Sequence, residues 1–426
     1  MNTLEYPRIG ERLYHRVLDN GLNVFVCPKP EHAKSYAFFA TNYGGMDMRF
    51  CLDGRWSDTP AGVAHFLEHK MFDTEDGNAL QDLASNGASP NAFTGNDITG
   101  YYFECTEKFA ENLRILLRFV SVPWFTAESV DKEQGIIAQE IRMVEDNPHW
   151  RVFMNLMAGL YQRHPARVSV AGTVESISHI TEKTLYDCHR AFYTPENMVL
   201  CVAGNVDPEQ VCAIADEILP KRGSGKVERD YGGAEPPEVA AARVEAEMEV
   251  STPIFQYACK CDPVPYGDQT LRMQLLGELT AQALAGPSSP LYASLYRQGL
   301  INSEFESGYE MYSGCAFLYA GGESRDPDEV ARQICVEAER LVREGVDEAL
   351  WQRLKKAAYG SRVCGLNSFE NICVGQAKSF FDGAQALAFP EMFDTITCQD
   401  ALALLNTWIR PDCTTLSVVR PKEGTR

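Results

Sequence analysis

Residues 61–72 read AGVAHFLEHKMF and contain two histidines, His65 and His69, four residues apart with Glu68 directly before the second. On a helix, this spacing projects both imidazole rings from one face, about one turn apart. Two imidazoles so placed can bind one zinc ion, while a carboxylate beside them accepts a proton from a metal-bound water. The motif, H-x-x-E-H, therefore predicts a hydrolytic zinc site in which Glu68 is the general base.

The motif alone does not establish a site, because three residues of average abundance match it by chance in about one chain of this length in a hundred. The alternative is two surface histidines beside an unrelated acid. An apolar face formed by Val63, Phe66 and Leu67 argues against this alternative, because it turns the histidines toward a different environment.

A mononuclear zinc site needs a third protein ligand, which should be a carboxylate on a separate rigid element. The segment 127–147 predicts a long helix that carries Glu133, Glu140 and Glu145. Glu133 and Glu140 are seven residues apart and share one stripe, so one can bind the metal while the other supports it. Spacing alone leaves the choice open, because acids on an exposed helix are commonly just solvated.

The surrounding sequence predicts the elements that must position these groups. GLNVFVCPKP, SYAFFATNYGG and NMVLCVAG have the short apolar runs of strands, and NAFTGNDITGYYFECT alternates like an antiparallel pair. The motif helix is expected to begin with Asp58 or Thr59 as N-cap and Pro60 at the first helical position. Helices mixed with hairpin-like strands predict an α+β fold rather than a doubly wound sheet.

At 426 residues the chain is long enough for two domains. Residues 220–243 are rich in Gly, Pro and charge and lack apolar periodicity, so they are predicted to be a linker. The predicted domains are 1–219, which carries the catalytic motif, and 244–426, which resumes with strands and helices. The two halves show no identity strong enough to indicate a repeat.

The composition excludes several classes of function. A net charge of −20 argues against nucleic acid or an anionic membrane as partner. No stretch approaches 18 uninterrupted apolar residues, and the N-terminal segment has no signal-peptide pattern. The 14 cysteines are scattered, many within apolar runs, so buried free thiols and a cytoplasmic location are expected.

Several motifs in order resemble the insulinase/pitrilysin family of zinc metallopeptidases in its inverzincin form. These are HFLEHKMF, then GASPNAFTGNDITGYYF, KEQGIIAQEI and DNPHWRVFMNLMAGLYQRHPARVSVAGTVESI. The match covers about residues 15–205, and the length suits the family's half-size bacterial branch. The resemblance implies two related domains, each an antiparallel-rich sheet packed with helices, that together form half of a clamshell.

The resemblance also implies a role for each matching residue. His65, His69 and Glu140 would bind one zinc ion per chain, Glu68 would be the general base, and Glu133 would be a supporting acid. Asn91, Ala92 and Phe93 would form an edge strand that pairs with an extended peptide by β-augmentation. Phe93 and Trp150 would line a pocket for a substrate side chain, although both can equally be core aromatics.

One departure from the family concerns the partner. Self-sufficient members carry an Arg and a Tyr in the C-terminal half that bind substrate and stabilise the oxyanion. The matching region reads SPLYASLYRQGLINSEF, with Leu295 and Asn302 where that pair is expected. Arg297, Tyr296 and Tyr309 are nearby but do not align with it. The resemblance therefore implies a heterodimer in which a paralogous half-size subunit provides the pair, with a homodimer as the alternative.

The sequence thus predicts a zinc endopeptidase that cuts peptides or unfolded segments. A non-catalytic or partner-dependent processing or scaffold subunit is the first alternative, because a fold can outlast its chemistry. A zinc hydrolase acting on non-peptide substrates is the second, and the edge strand around Asn91–Phe93 argues against it.

Overall fold

A computed structural model describes residues 1–221, 227–410 and 412–422. The chain forms two compact units, each built from three segments. Unit 1 comprises Met1–Ile141, Ser169–Tyr231 and Val363–Ala388, and unit 2 comprises Arg142–Val168, Gly232–Arg362 and Phe389–Arg426, as far as these are described. The predicted α+β class is confirmed.

The strands of the described residues are, in chain order, β1 Asn2–Tyr6, β2 Glu11–Val17, β3 Asn23–Pro28, β4 Ser35–Thr41, β5 Arg49–Leu52, β6 Arg55–Asp58, β7 Asp73–Thr74, β8 Gly77–Asn78, β9 Ser89–Thr94, β10 Thr99–Cys105, β11 Met198–Gly204, β12 Glu228–Arg229, β13 Arg243–Met248, β14 Ile254–Cys261, β15 Glu306–Tyr312, β16 Cys315–Glu323 and β17 Thr414–Pro421. The helices are α1 Val63–Met71, α2 Ala79–Ser85, α3 Phe109–Ser121, α4 Ala127–Glu145, α5 Pro148–Leu160, α6 Val174–Ile177, α7 Glu182–Phe192, α8 Pro208–Ile218, α9 Gln269–Ala285, α10 Pro290–Arg297, α11 Pro327–Glu344, α12 Glu348–Gly365, α13 Phe369–Phe381, α14 Phe389–Thr395 and α15 Cys398–Leu405.

Unit 1 is built on a seven-stranded sheet with the order β1-β2-β3-β11-β4-β10-β9. β11 pairs parallel with β3, and the other neighbours are antiparallel. Every residue of β4 and β11 is buried, as expected for central strands covered on both faces. The strands predicted at GLNVFVCPKP, SYAFFATNYGG and NMVLCVAG are therefore confirmed.

Unit 2 has a five-stranded sheet with the order β13-β17-β14-β16-β15. β13 and β17 pair parallel, and the remaining pairs are antiparallel. Numbered along the chain, these strands follow the order 1-5-2-4-3, as do β3, β4, β9, β10 and β11 in unit 1. The two units therefore share one sheet topology, which the sequence does not show as identity.

The units are not continuous stretches of chain, in contrast to the predicted boundaries at 219 and 244. α5 packs on β14 and β17 of unit 2, whereas α13 packs on β4 and β11 of unit 1. Within the predicted linker, residues 222–226 lie outside the described residues. Cap and turn patterns in the sequence do not show which sheet the apolar face of a helix covers.

The ends of the predicted linker are each tied within one unit. Arg229 Nε and Tyr231 Oη donate to Oδ1 of the buried Asp47, at 3.0 and 2.9 Å, in unit 1. In unit 2, the buried Lys260 donates to Glu235 at 2.8 Å. These contacts fix the chain on both sides of residues 231 and 232, one of the points at which it passes from unit 1 to unit 2.

The motif helix begins later than predicted. α1 starts at Val63, and its N-cap is Gly62 with φ of 94°, so the expected cap at Asp58 or Thr59 is wrong. Asp58 ends β6, and both the amide and the hydroxyl of Thr59 bind the carbonyl of Met48, so these residues continue a hairpin. A Cβ at Gly62 would lie 2.6 Å from a carbonyl oxygen, so only glycine fits this start.

The expectation of buried free thiols is largely confirmed. All 14 cysteines are free, and 11 of them are buried. Across the described ranges, the chain has no helix of the length and apolar character that crossing a membrane requires.

Candidate metal centre

The side chains of His65 and His69 lie together on one face of α1, with ring centroids 4.7 Å apart. Glu140 reaches them from α4, with its Oε1 3.5 Å from Nε2 of His65 and its Oε2 3.5 Å from Nε2 of His69. The three residues offer ligand atoms that all lie within 4.8 Å of one another. Among the described residues, they form the one group of His, Cys, Asp or Glu side chains found with such a metal-binding geometry.

Packing of both helices into the core of unit 1 explains this convergence. On α1, Val63, Phe66 and Leu67 are at most 3% exposed, so the opposite face is left for the histidines. On α4, Ile137 and Ile141 are buried in the same apolar cluster. Glu133 and Glu140 of α4 therefore lie near α1, because Ile137 between them and Ile141 after them are packed into this core.

The arrangement separates the two glutamates that spacing could not distinguish. Glu140 faces both histidines, whereas Glu133 lies behind His69, with Oε1 3.1 Å from its Nδ1. A hydrogen bond at Nδ1 places the proton on that nitrogen and leaves Nε2 free to bind a metal. The geometry thus favours Glu140 as the ligand and Glu133 as the group that orients His69.

Glu68 is adjacent to the ligand set and is only 8% exposed. The hydroxyl of Thr94, the last residue of β9, donates to Oε2 of Glu68 at 2.6 Å. Burial raises the pKa of Glu68, and the Thr94 hydrogen bond and the neighbouring histidines only partly offset this effect. The carboxylate is therefore held by one oxygen, with a basicity above that of an ordinary glutamate.

The electrostatics of the pocket suit a cation. Burial alone would lower the pKa of His69, but the hydrogen bond to Glu133 and the charges of Glu68 and Glu140 outweigh it and raise the pKa. The pKa of Glu140 is lowered, chiefly by its hydrogen bond with His65. Two imidazoles and a carboxylate form a donor set typical of a catalytic zinc site, so the residues present fit zinc.

The residues predicted to bind substrate do not all lie together. Ala92 packs on the apolar cluster beneath α1, whereas Phe93 packs on the opposite face of the sheet, stacked on Phe38 at 5.7 Å. Asn91 is exposed, and its Oδ1 accepts from the amide of Ala92 at 2.9 Å. Side chains alternate along β9, so Asn91 and Phe93 point away from the face that carries Glu68.

Trp150 is the one predicted substrate-binding residue that does not belong to unit 1. It lies on α5, which belongs to unit 2, and the guanidinium of Arg151 lies 5.3 Å from the centroid of its ring. The metal centre and β9 both belong to unit 1. The role of Trp150 in a substrate pocket therefore stays a prediction.

At the two positions where the family resemblance expects an Arg and a Tyr, the residues present make contacts that stabilise unit 2. Leu295 is fully buried in the core of unit 2. Asn302 donates to Glu323 at 2.8 Å. Of the nearby candidates, Arg297 donates to the carbonyl of Ala293 on its own helix.

Two residues of the site escaped sequence reasoning, Thr94 and Lys70. Thr94 follows Phe93 directly, and Lys70 follows His69, so both were inside the quoted motifs. Threonine in a strand and lysine on a helix are too common to stand out. Only the fold brings Thr94 to Glu68 and Lys70 to Glu133.

Comparison with known proteins finds sequence similarity along almost the whole chain. A family model described as Insulinase (Peptidase family M16) matches residues 54–174, and one described as Peptidase M16 inactive domain matches residues 179–358. YmfH of Bacillus subtilis (strain 168), named an uncharacterized zinc protease, is 36% identical over 427 residues, covering 98% of this chain and 99% of YmfH.

Solved structures with a similar fold also match almost the whole chain. The crystal structure of an M16-like protein from Alicyclobacillus acidocaldarius is 34% identical, with a TM-score of 0.92 over 99% of this chain and 100% of that chain. A protease from Helicobacter pylori shares the fold at 17% identity, with a TM-score of 0.82 over 96% of this chain and 100% of that chain. The chain therefore belongs to the insulinase family, peptidase family M16.

Proposed function

We propose that this chain is a zinc-dependent endopeptidase that hydrolyses peptides or unfolded polypeptide segments. The observation that carries the proposal is the convergence of His65, His69 and Glu140 beside Glu68, a buried carboxylate with one oxygen held in place. The name zinc protease given to YmfH, which is similar along almost its entire length, supports the same activity.

The metal would be held by Nε2 of His65, Nε2 of His69 and the carboxylate of Glu140. A bound zinc ion would lower the pKa of a water and polarise the scissile carbonyl. Glu68 would take the proton from the attacking water and pass it to the leaving amine, as a general base and then a general acid. Thr94 holds Oε2 of Glu68, which leaves Oε1 for this transfer, and burial raises the pKa of the carboxyl above its ordinary value.

The edge of the large sheet would hold the substrate. β9 pairs with β10 on one side and, within the described residues, has no strand on the other. Pro90, which lacks an amide proton, fits an edge strand. An extended peptide added to this edge would run to Thr94 and therefore to Glu68, so main-chain pairing would place a peptide bond near the base.

A second candidate function is that of a processing or scaffold subunit that works only with a partner. The observation that favours it is the burial of Leu295 and the pairing of Asn302 with Glu323, which leave no Arg/Tyr pair at the expected positions. The family model that matches residues 179–358 is itself described as an inactive domain. We infer that a paralogous half-size subunit provides the missing pair, with a second copy of this chain as the alternative.

Measurements of zinc content and cleavage on the purified chain distinguish these candidate functions. We expect about one zinc per chain by elemental analysis, and chelator-sensitive cleavage of a quenched peptide library would establish a self-sufficient peptidase. One zinc without cleavage would favour the partner-dependent subunit, and activity should then appear when the paralogous chain is added. Chelator-sensitive hydrolysis of small esters without peptide cleavage would favour a non-peptide hydrolase. A chain that binds no zinc would contradict the proposal.

A further inference from the structure

Lys70 is an unusual residue for a buried position. It is 1% exposed, on α1 directly after His69. A buried ammonium group is costly unless carboxylates pair with it. Lys70 has two such partners, because its Nζ donates to Asp73 and lies 3.9 Å from Oε2 of Glu133.

The two oxygens of Glu133 face different groups. Oε2 faces the ammonium of Lys70, whereas Oε1 lies 3.1 Å from Nδ1 of His69. One carboxylate therefore joins the buried lysine to a predicted metal ligand. Glu133 is only 15% exposed, so water offers it little alternative solvation.

The other predicted histidine ligand has no such support. In the part of the chain that the structure describes, the buried Nδ1 of His65 has no hydrogen-bond partner. His69 is thus the ligand whose ring orientation and tautomer are set from behind. Outer partners of this kind typically change metal affinity by about 10- to 100-fold when they are removed.

We propose that Lys70 is a positioning residue: its ammonium group holds Oε2 of Glu133, so that Oε1 keeps the proton of His69 on Nδ1 and Nε2 faces the metal. This proposal rests on the proposed zinc site, but its central element is a property of the metal-free chain. Asp73 is 38% exposed and has a different role, because it balances the charge of the lysine from a more exposed position than Glu133.

The metal-free protein provides the first test. Because the pKa of His69 is raised, the spectra are recorded at a pH at which its ring is neutral. Imidazole nitrogen NMR should then show His69 as the Nδ1–H tautomer in the wild type and a mixture of tautomers in Lys70→Met. Lys132→Met removes an exposed charge next to Glu133 in sequence and should leave the tautomer unchanged. Asp73→Asn should leave it unchanged as well. A wild-type tautomer retained in Lys70→Met, or lost equally in Asp73→Asn, would overturn the proposal.

Zinc affinity, measured by competition with a chromophoric chelator, provides the second test. We expect Lys70→Met and Glu133→Gln each to weaken binding about tenfold. The double variant should be no weaker than Glu133→Gln alone, because Lys70 acts through Glu133. Additive losses would show an independent structural effect and overturn the proposal.

The role of Lys70 can still be tested if Lys70→Met does not fold or if the wild type binds no zinc. If circular dichroism shows that Lys70→Met is unfolded, Lys70→Gln replaces it, since its amide keeps a donor near Asp73. If the wild type binds no zinc, the proposed function fails, while the tautomer measurement still decides the role of Lys70.

Discussion

Thr94 ends the edge strand β9 and donates a 2.6 Å hydrogen bond to Glu68, which lies on α1. This contact joins the two parts of the proposed mechanism, because the strand that would bind the peptide also holds the base that would cleave it. A peptide aligned along β9 is thereby aligned relative to Glu68.

Glu68→Gln should reduce peptide cleavage by at least about a hundredfold, since an amide cannot accept the proton from water. Zinc content should stay at the wild-type level, because Glu68 is not among the three predicted ligands. His65→Ala is the matched variant and should lose zinc together with activity. Cleavage and elemental zinc are measured on the same preparations, and wild-type turnover by Glu68→Gln would refute its role as base.

Thr94→Val keeps the shape of the side chain but removes the donor to Glu68. The loss of a hydrogen bond to a charged group predicts a fall in kcat/KM of about tenfold or more. Thr94→Ser retains a hydroxyl and should remain close to the wild type, and both variants should bind zinc normally. Equal activity of the valine and serine variants would show that Thr94 does not orient the base.

Ala92→Pro tests the edge strand through its backbone. The Ala92 amide donates to the exposed side chain of Asn91 rather than across the sheet, so an incoming peptide would need to displace only that side chain to accept from it. Its removal should raise KM about three- to tenfold, which corresponds to one main-chain hydrogen bond. Ala92→Ser keeps the amide and serves as control. An unchanged KM for peptide in the proline variant would exclude pairing at this residue.

The site was more predictable than the assembly of the fold around it. His65, Glu68 and His69 lie within five residues, so helical periodicity alone puts them on one face. Glu140 and Glu133 needed the resemblance to separate their roles, because both lie on one stripe of α4. The structure distinguishes them through contacts with different nitrogens of His69.

Features that depend on distant contacts were not predictable. The start of α1 is displaced from Pro60 to Val63 because Thr59 pairs with Met48 in a hairpin. The helix α5 packs on the sheet of unit 2 and α13 packs on the sheet of unit 1, which depends on contacts far apart in the sequence. The shared sheet topology of the two units is likewise absent from the sequence, since many apolar residues can fill equivalent positions.

His189 predicts a pH dependence of stability. It is buried beneath Val120, to whose carbonyl it bonds at 3.0 Å, and burial lowers its pKa to about 4. An unfolded histidine titrates near 6.5, so between about pH 6.5 and 4 the unfolded state binds more protons than the folded state. This group therefore destabilises the fold as the pH falls through that window, by about 3 kcal/mol in total.

Urea denaturation at several pH values measures this effect. Other carboxylates and histidines titrate in the same range, so the informative quantity is the difference between variants. His189→Gln should lose less stability than the wild type between pH 6.5 and 4, whereas the exposed His179→Gln should follow the wild type. Parallel pH profiles for His189→Gln and the wild type would show that His189 is not buried as a neutral group.

Arg229 supports the loop that precedes the motif helix, because its Nε donates to the buried Asp47 at 3.0 Å. Arg229→Met would leave this carboxylate without its cation, and such a loss typically costs about 3–5 kcal/mol. Tyr231 and the amide of Gly44 still donate to Asp47, so we expect about 3 kcal/mol.

The matched control is Arg12→Met, which breaks a solvent-exposed ion pair with Glu5. Exposed pairs of this kind contribute less than about 1 kcal/mol, because water and salt screen them. The free energy of unfolding in urea should therefore fall clearly for Arg229→Met and hardly at all for Arg12→Met. Equal effects would mean that Asp47 is not desolvated and that the segment after residue 227 does not hold unit 1 together.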